Sequence, residues 1–302
     1  MWDKELYCCR YRIRGSRPLT ICIGMICNSN SDSKVIMISD TMITSPHLSI
    51  EFEHRTPKIM ALSDNCVACA AGNALLHSEL FDKARMEVGQ LKSPSILQIV
   101  GCVKKCYRAM REQGILETVL SPRGIPSFDK FYEIQKEMAS DISLNVQGEI
   151  DNYQLGGEVG FTILIGGVDA KGAHIYKIDH PGNAECYDSI GYEGIGSGEF
   201  HALTSLIGRD YHITFPLNDA LLAAYEAKKI AEKSPGVGSR TDISIVDGRR
   251  VITFSDADIK ELDRVYTEKK KFEMDTAQNK NWAKELDGLV QLLGKKRGDK
   301  HA

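Results

Sequence analysis

The 302-residue chain contains 42% hydrophobic and 26% charged residues, a balance typical of a globular protein that buries its own core. Its formal net charge of −3 gives no electrostatic reason to expect a nucleic acid or an anionic membrane as a partner. No segment approaches the roughly 18 consecutive apolar residues that a membrane-spanning helix needs.

The first predicted elements are β-hairpins. The apolar run TICIGMIC (20–27) is followed by the polar turn NSNSDS (28–33) and a second apolar run, KVIMIS (34–39). Two such runs around a polar turn predict an antiparallel hairpin. The runs at 58–63 and 66–71 predict another hairpin of the same kind.

Helices are predicted next. Apolar residues recur at helical spacing through 73–113, and Ser93–Pro94 marks the start of a second helix within this stretch. Residues 114–155 are less regular and are predicted to form a helical insert with one helix near 128–148.

The rest of the chain returns to strands and then alternates. Further strands are predicted at 161–166, 174–178 and 184–190, helices at 199–207 and 217–233, and two short strands within 241–254. This order is unlike the βαβ alternation of a parallel sheet, and it favours an α+β fold of two packed antiparallel sheets with helices outside. Residues 255–302 form a charged extension, in which apolar residues from Trp282 to Leu293 predict a helix that packs on its own domain.

The cysteines indicate a reducing environment. Cys22, Cys27, Cys66 and Cys69 lie in apolar runs, where they read as small buried hydrophobes, so we expect a cytoplasmic protein. Cys66 and Cys69 have no second C-x-x-C pair to complete a zinc site. The GIGSG segment (194–198) lacks the Lys–Ser/Thr of a phosphate-binding loop. We therefore predict no metal and no cofactor.

The first hairpin brings two polar residues to the same end. With the turn centred on residues 30–31, facing residues have numbers that sum to about 60 or 61. Thr20 then lies opposite Asp40 or Thr41, so a hydroxyl and a carboxylate meet at one end of the hairpin. The same arithmetic does not place Lys58.

Several segments together resemble the proteasome β-subunit family of N-terminal-nucleophile (Ntn) hydrolases, over roughly residues 20–250. TICIGMIC is similar to the family's mature start, KVIMISDTMIT to its second strand and HRTPKIMAL to the next. CVACAAGNALL is similar to the strand before the first long helix, FTILIGGVDAKGAHIYKIDHPG to the second β block, and GIGSGEFHAL to a glycine–serine–glycine helix entry.

The resemblance implies a fold and a set of site residues. The family fold is a four-layer αββα sandwich of two antiparallel sheets flanked by helices. The family's threonine nucleophile falls on Thr20, its aspartate on Asp40, its lysine on Lys58 and its serine on Ser197. The second aspartate of the family has no clear match, and Glu232 is a weak candidate for it.

The resemblance also implies the surroundings of the nucleophile. The family's oxyanion-hole glycine lands near Cys69, and the adjacent specificity-pocket position is Val67, which suggests an aliphatic pocket. A free α-amine of Thr20 would accept the hydroxyl proton, because an α-amine has an unperturbed pKa of ~8 and a nearby Lys58 ammonium would lower it. Asp40 would orient Lys58, and backbone N–H groups would stabilise the oxyanion.

Residues 1–19 determine whether that amine exists. They are basic and are not a secretory signal. Leu19 departs from the glycine that self-cleaving members carry before the threonine. Three explanations stay open: translation that starts at position 19 followed by removal of the methionine, self-processing between Leu19 and Thr20, and an unprocessed inactive chain.

Two functions follow from these observations. The first is a threonine-type hydrolase of amide or peptide bonds that acts on a peptide or protein substrate or, as related folds do, on a small-molecule amide. The second is a catalytically silent scaffold or ring subunit of the same fold. Each candidate residue alone also has an ordinary interpretation: Thr20 as a strand threonine, Asp40 as a turn residue, Lys58 as a solvated strand end and Ser197 as a helix cap. The family resemblance further implies a homo-oligomer.

Overall fold

The structure, a computed structural model, describes residues 20–28, 32–45, 50–53, 57–157 and 160–279. The predictions for residues 1–19 and for the apolar face from Trp282 to Leu293 lie outside the described residues. Within the described chain, residues 20–255 form one compact unit and residues 256–279 belong to a second. The described part of the second unit is one charged helix.

The described residues form an α+β fold in which the strands pair in antiparallel fashion. The strands are β1 (Cys22–Cys27), β2 (Lys34–Asp40), β3 (Met42–Ser45), β4 (Ile50–Glu53), β5 (Met60–Ser63), β6 (Cys66–Gly72), β7 (Phe161–Asp169), β8 (Gly172–Asp179), β9 (Asn183–Cys186), β10 (Tyr192–Ile195), β11 (Thr241–Val246) and β12 (Val251–Thr253). One sheet has the order β10-β1-β2-β11-β12, a second has the order β5-β6-β7-β8-β9, and β3 pairs with β4.

Helices separate the groups of strands. They are α1 (Ala74–Gly89), α2 (Ile96–Ile115), α3 (Phe128–Ile134), α4 (Ser140–Asn152), α5 (Glu199–Gly208), α6 (Leu217–Ala231) and α7 (Asp256–Asn279), and short π and 3-10 turns follow α2. The predicted order of strands, helices, strands, helices and strands is confirmed. None of the described helices is long and apolar enough to cross a membrane.

The register of the first hairpin matches the arithmetic prediction. Cys22 pairs with Ser39 and Cys27 pairs with Lys34, so the numbers of facing residues sum to 61. The N–H of Asp40 donates to the carbonyl of Ile21 at 3.2 Å, just beyond the last strand pair. Thr20 and Asp40 therefore lie at the same end of the sheet.

Apolar residues of the two five-stranded sheets share one cluster, which includes Cys22, Met37, Cys69, Leu164 and Ile175. Strands alternate their side chains between two faces, so the other face of the second sheet packs on α1 and α2 in a separate cluster. Helices α5 and α6 contact β1 in the first sheet. Burial on both faces explains why β1 and β6 read as continuous apolar runs.

The helical insert differs from its prediction. Instead of one helix near 128–148, the structure contains α3 and α4, separated by residues 135–139. Phe131 and Val146 are both buried in one cluster with Leu120 and Ile150. In a single straight helix these two residues would lie about 22 Å apart along the axis, so a compact cluster requires the break.

Candidate active site

Thr20 lies at the centre of a buried polar cluster. It lies two residues before the start of β1, and Asp40 is the last residue of the neighbouring antiparallel strand β2. The Thr20 hydroxyl donates to Asp40 Oδ1 at 2.5 Å. Lys58, which precedes β5, donates from Nζ to Thr20 Oγ1 and to Asp40 Oδ1, the latter at 2.9 Å. The threonine oxygen therefore contacts an ammonium and a carboxylate at once.

The Asp40 carboxylate is completely buried and is bonded on both oxygens. Oδ1 accepts the N–H of Ile21 at 3.0 Å, in addition to the Thr20 and Lys58 donors. Oδ2 accepts the N–H groups of Met42 and Gly238, each at 3.0 Å. A buried carboxylate is tolerated when its charge and lone pairs are matched in this way, and the five donors fix its orientation.

Lys58 is positioned by the first sheet. Its backbone N–H donates to Asp242 Oδ2 at 3.1 Å, and Asp242 belongs to β11. Burial raises the pKa of Asp242, while the bond from Lys58 opposes that effect. The Lys58 side chain is 9% exposed, so its ammonium points into the protein and not into solvent. This partner was not predicted, because residues 58 and 242 are far apart in the sequence.

Ser197 reaches the backbone of Thr20. Its hydroxyl donates to the Thr20 carbonyl at 3.4 Å and to the Pro235 carbonyl at 3.1 Å. The N–H of Gly198 donates to the same Thr20 carbonyl at 3.2 Å. Ser197 does not cap α5, since the N-cap residue is Gly198. The site serine therefore holds the main chain of Thr20 and does not touch its hydroxyl.

The glycines around Ser197 allow this close approach. Gly196 has φ +104°, and a Cβ on it would lie 2.2 Å from the Thr20 carbonyl oxygen. A side chain at this position would displace Thr20, and L-residues rarely adopt that backbone conformation. The GIGSG segment thus forms a close contact between two backbones.

The assignments of Cys69 and Val67 to an oxyanion hole and a pocket need correction. Both residues are 0% exposed in the middle of β6, and both side chains lie in the cluster shared by the two sheets. Burial raises the pKa of the Cys69 thiol well above its usual value, and the neighbouring Cys22 adds to the effect. A residue enclosed in this way does not present a backbone N–H or a pocket wall to a substrate.

The C-terminal end of β6 is better placed than Cys69 to offer a backbone N–H near the start of β1. Cys22 Sγ lies 4.0 Å from the Ala70 carbonyl, so this part of β6 faces the start of β1. Gly72, which ends β6, is half-buried with φ +130°, and α1 begins two residues later. A glycine at the junction of a strand and a helix is a signal that sequence reasoning could have used.

Glu232 does not replace the family's second aspartate at the threonine. Its two carboxylate oxygens accept hydrogen bonds from Lys228 and Lys229, at 2.6 and 2.9 Å. Within the described residues, no cluster of three or more His, Cys, Asp or Glu side chains has the arrangement of a metal site.

Comparison with known proteins gives partial support for the family resemblance. No protein-family model matches the chain. The chain is 29% identical over 96 residues to a protein of Encephalitozoon cuniculi (strain GB-M1) described as "Probable proteasome subunit beta type-2". The matched segment covers 32% of this chain and 40% of that relative, so it spans less than half of either protein. This similarity supports a proteasome-like protein.

Proposed function

We propose that the protein is a threonine-type hydrolase of amide or peptide bonds, with Thr20 as its nucleophile and the four-layer αββα arrangement of the Ntn hydrolases. One observation carries the proposal. The Thr20 hydroxyl oxygen contacts both the Lys58 ammonium and the Asp40 carboxylate at a buried sheet end. An unassisted hydroxyl is a poor nucleophile, and charged groups held against its oxygen orient it and stabilise the negative charge that develops on attack.

The contacts support a role for each residue. Lys58 donates to the oxygen of Thr20 that would attack a carbonyl, so it stabilises negative charge on that atom. Asp40 holds both the hydroxyl and the ammonium. Ser197 and Gly198 fix the Thr20 carbonyl, which keeps the residue in place during acyl transfer. The base would be the α-amine of Thr20, once residues 1–19 no longer precede it.

A catalytically silent scaffold is the second candidate, and one observation favours it. Thr20 is preceded by 19 residues in the sequence, and its exposure is only 3%. A blocked amine would leave the site without its base. The same three side chains would then serve only to stabilise the sheet end.

The decisive experiment combines intact mass with covalent labelling. The full-length chain is purified from its expression host, its N-terminus is determined by mass spectrometry, and it is treated with a β-lactone that acylates nucleophilic threonines. We expect a chain beginning at Thr20 that gains one acyl group on that residue. Thr20→Ala should not be labelled, whereas Thr41→Ala should be, because the Thr41 hydroxyl donates to Glu53 at 2.5 Å. A stable chain that keeps Met1–Leu19 and resists labelling would support the scaffold.

We also propose that the protein acts in the cytoplasm as a homo-oligomer. The support is the similarity to a protein described as a proteasome subunit, a name that implies an assembly of subunits. Light scattering at micromolar concentration tests the oligomer directly. A monomer mass near 33.5 kDa would contradict it.

A further inference from the structure

Lys228 is a completely buried cation on α6, away from the threonine hydroxyl. Its ammonium donates to Glu232 Oε1 at 2.6 Å, to the Ser239 carbonyl at 2.7 Å and to the Gly238 carbonyl at 3.0 Å. An ammonium has three N–H donors, so these three acceptors match it fully. Burial lowers the pKa of Lys228, and the neighbouring Glu232 raises it.

The segment that Lys228 binds is the one that holds Asp40. Gly238 uses its carbonyl to accept from Lys228 and its N–H to donate to Asp40 Oδ2. The other oxygen of Asp40 accepts from Thr20 and Lys58. A path of contacts therefore runs from Lys228 through the backbone of one residue, Gly238, to the carboxylate that orients the threonine hydroxyl.

The same segment is held from its other side by Glu53. Glu53 Oε1 accepts the N–H of Arg240 at 3.1 Å and the hydroxyl of Ser239 at 3.5 Å. A Cβ on Gly238 would lie 2.6 Å from Glu53 Oε1, which shows how closely the backbone is enclosed. Residues 232–240 connect α6 to β11 without regular structure, so side chains must fix the position of the Gly238 N–H.

Stability alone does not require a lysine here. Burying an ammonium costs several kcal/mol before its bonds are counted, and apolar residues of similar volume often stabilise such sites equally well. Four alanines of α6, at positions 220, 223, 224 and 227, are already 0% exposed, so the helix packs an apolar face of its own. What an apolar residue cannot supply is the pair of bonds to the 238 and 239 carbonyls.

We propose that Lys228 is a positioning residue for the Thr20 site, which acts by fixing Gly238, the residue whose backbone N–H binds Asp40. This inference rests on the proposed function. It assigns Lys228 no contact with a substrate. Its loss should slow acylation of Thr20 without weakening the initial binding of the reagent.

Lys229 provides a matched control on the same helix. It also forms an ion pair with Glu232, at 2.9 Å, but the bonds to the carbonyls of Gly238 and Ser239 come from Lys228. Lys228→Met, Lys228→Gln and Lys229→Met are compared with wild type as full-length chains. For each, the saturating rate kinact and the half-saturating concentration KI of β-lactone acylation are measured by intact mass, and Tm is measured in parallel.

We expect Lys228→Met to lower kinact at least tenfold with KI within about twofold of wild type. Lys228→Gln retains an amide donor for one carbonyl, so its kinact should lie between that of wild type and that of Lys228→Met. Lys229→Met should have the kinact of wild type. A lower Tm with unchanged kinact in Lys228→Met would overturn the inference and leave a purely structural lysine. If Lys228→Met does not fold, the kinact of Lys228→Gln decides, and a wild-type value there overturns the inference.

The experiment also separates this inference from the proposal it rests on. A wild-type chain that is not acylated at Thr20 defeats the proposed function and this inference together. A wild-type chain that is acylated, with Lys228 variants that react equally fast, defeats the inference and leaves the proposed function intact.

Discussion

The two ends of the paired sheets each hold three bonded side chains, but of different kinds. At one end, here called the threonine end, Thr20, Asp40 and Lys58 bond to one another. At the opposite end, the turn end, His174 lies between Asp169 and Asp188, with its ring nitrogens 3.1 and 2.6 Å from carboxylate oxygens.

The two clusters are assembled differently. The threonine end draws on segments from distant parts of the chain: the bond from Gly238 to Asp40 joins residues 198 positions apart. At the turn end, Asp169 and His174 flank the β7–β8 turn, and Asp188 follows β9. Asp169 also accepts the N–H of Ile96 at the start of α2. The three side chains of the turn end therefore come from one local stretch, residues 169–188, and Asp169 also ties this stretch to α2, 73 positions away.

The difference teaches how to separate a site from a stabilising cluster. Shifted pKa values are prominent at the turn end. The hydrogen bond that His174 donates to Asp188 raises the pKa of His174, while hydrogen bonds outweigh burial and lower the pKa values of Asp169 and Asp188. The Cys186 thiol also hydrogen-bonds Asp188, but partial burial and the carboxylate raise its pKa, which disfavours the reactive thiolate. A shifted pKa identifies a residue as a candidate for an active site. The feature that decides is a nucleophile placed between a cation and a hydrogen-bond acceptor.

The largest effect is expected at Asp40. Asp40→Asn should lower the rates of acylation and hydrolysis by about 10²- to 10⁴-fold. Both carboxylate oxygens of Asp40 accept hydrogen bonds, and the NH2 group of asparagine would replace one of them and face donors that it cannot bond. Lys58→Met should cost a similar factor, and the double variant should cost little more, since the two groups act on one oxygen. The rate constant of β-lactone acylation checks this.

Asp188→Asn is the matched variant at the turn end. His174 and Ile175 each bond a different oxygen of Asp188, and the amide replaces one of these acceptors by an NH2 donor, so the variant should lower the free energy of unfolding while the acylation rate stays at the wild-type value. A rate loss in Asp188→Asn as large as in Asp40→Asn would remove the distinction between the two ends.

The Asp40 result also bears on what sequence reasoning can reach. Thr20 and Asp40 were placed together from the sequence because a hairpin register is fixed locally, by the turn and by one-to-one pairing. Lys58, Gly238 and Asp242 meet them only through packing between distant segments. No spacing in the sequence encodes such contacts, so the family resemblance alone suggested Lys58, and nothing suggested the other two.

The errors have physical causes as well. Cys69 was aligned with an exposed backbone position, but alternation along β6 directs its side chain into the core between the sheets. The β3–β4 hairpin was not predicted, since its short runs MITS and IEFE carry a weak apolar pattern. The overall order of strands and helices was predictable because long apolar runs and helical periodicity are strong local signals.

A glycine at each end permits a matched pair of substitutions. Gly196 and Gly172 both have positive φ, +104° and +125°. Gly196→Ala should lower the acylation rate at least tenfold, because its Cβ would lie 2.2 Å from the Thr20 carbonyl oxygen and must displace that residue. At Gly172 the nearest atom is Ser33 Oγ at 3.7 Å, so Gly172→Ala should add only backbone strain of about 1–3 kcal/mol.

The measurements are the acylation rate and the free energy of unfolding of each glycine variant. We expect the rate to separate the pair and the stability to be reduced in both. Equal rates for the two variants would mean that the position of the Thr20 backbone is not critical for its reactivity.

A smaller effect is expected at Ser197, which holds only the Thr20 carbonyl. Ser197→Ala removes its hydrogen bonds to Thr20 and Pro235, and Gly198 still donates to the Thr20 carbonyl. Because the bond to the Thr20 carbonyl is the one that bears on the site, a net loss of about 0.5–1.5 kcal/mol for that bond predicts an acylation rate reduced up to roughly tenfold. Ser244→Ala in β11, whose hydroxyl contacts Thr253, should leave the rate unchanged. A loss above 10²-fold in Ser197→Ala would indicate direct contact with the reacting atoms.

The smallest effect is expected at the turn end, as a pH dependence of stability. Both ring nitrogens of His174 face carboxylates, which only accept, so the cluster favours the doubly protonated ring and raises the pKa of His174. The unfolded chain has a histidine pKa of about 6.5. The stabilisation that the cluster provides is therefore complete below about pH 6.5 and is lost as the pH rises through the higher pKa of the folded state.

The free energy of unfolding of wild type minus that of His174→Gln should fall as the pH rises, by about 1 kcal/mol or less, since the cluster is partly exposed. A difference that stays constant between about pH 5.5 and pH 9 would show that protonation of His174 is not linked to folding, and an acylation rate altered by His174→Gln would show that the two ends are coupled.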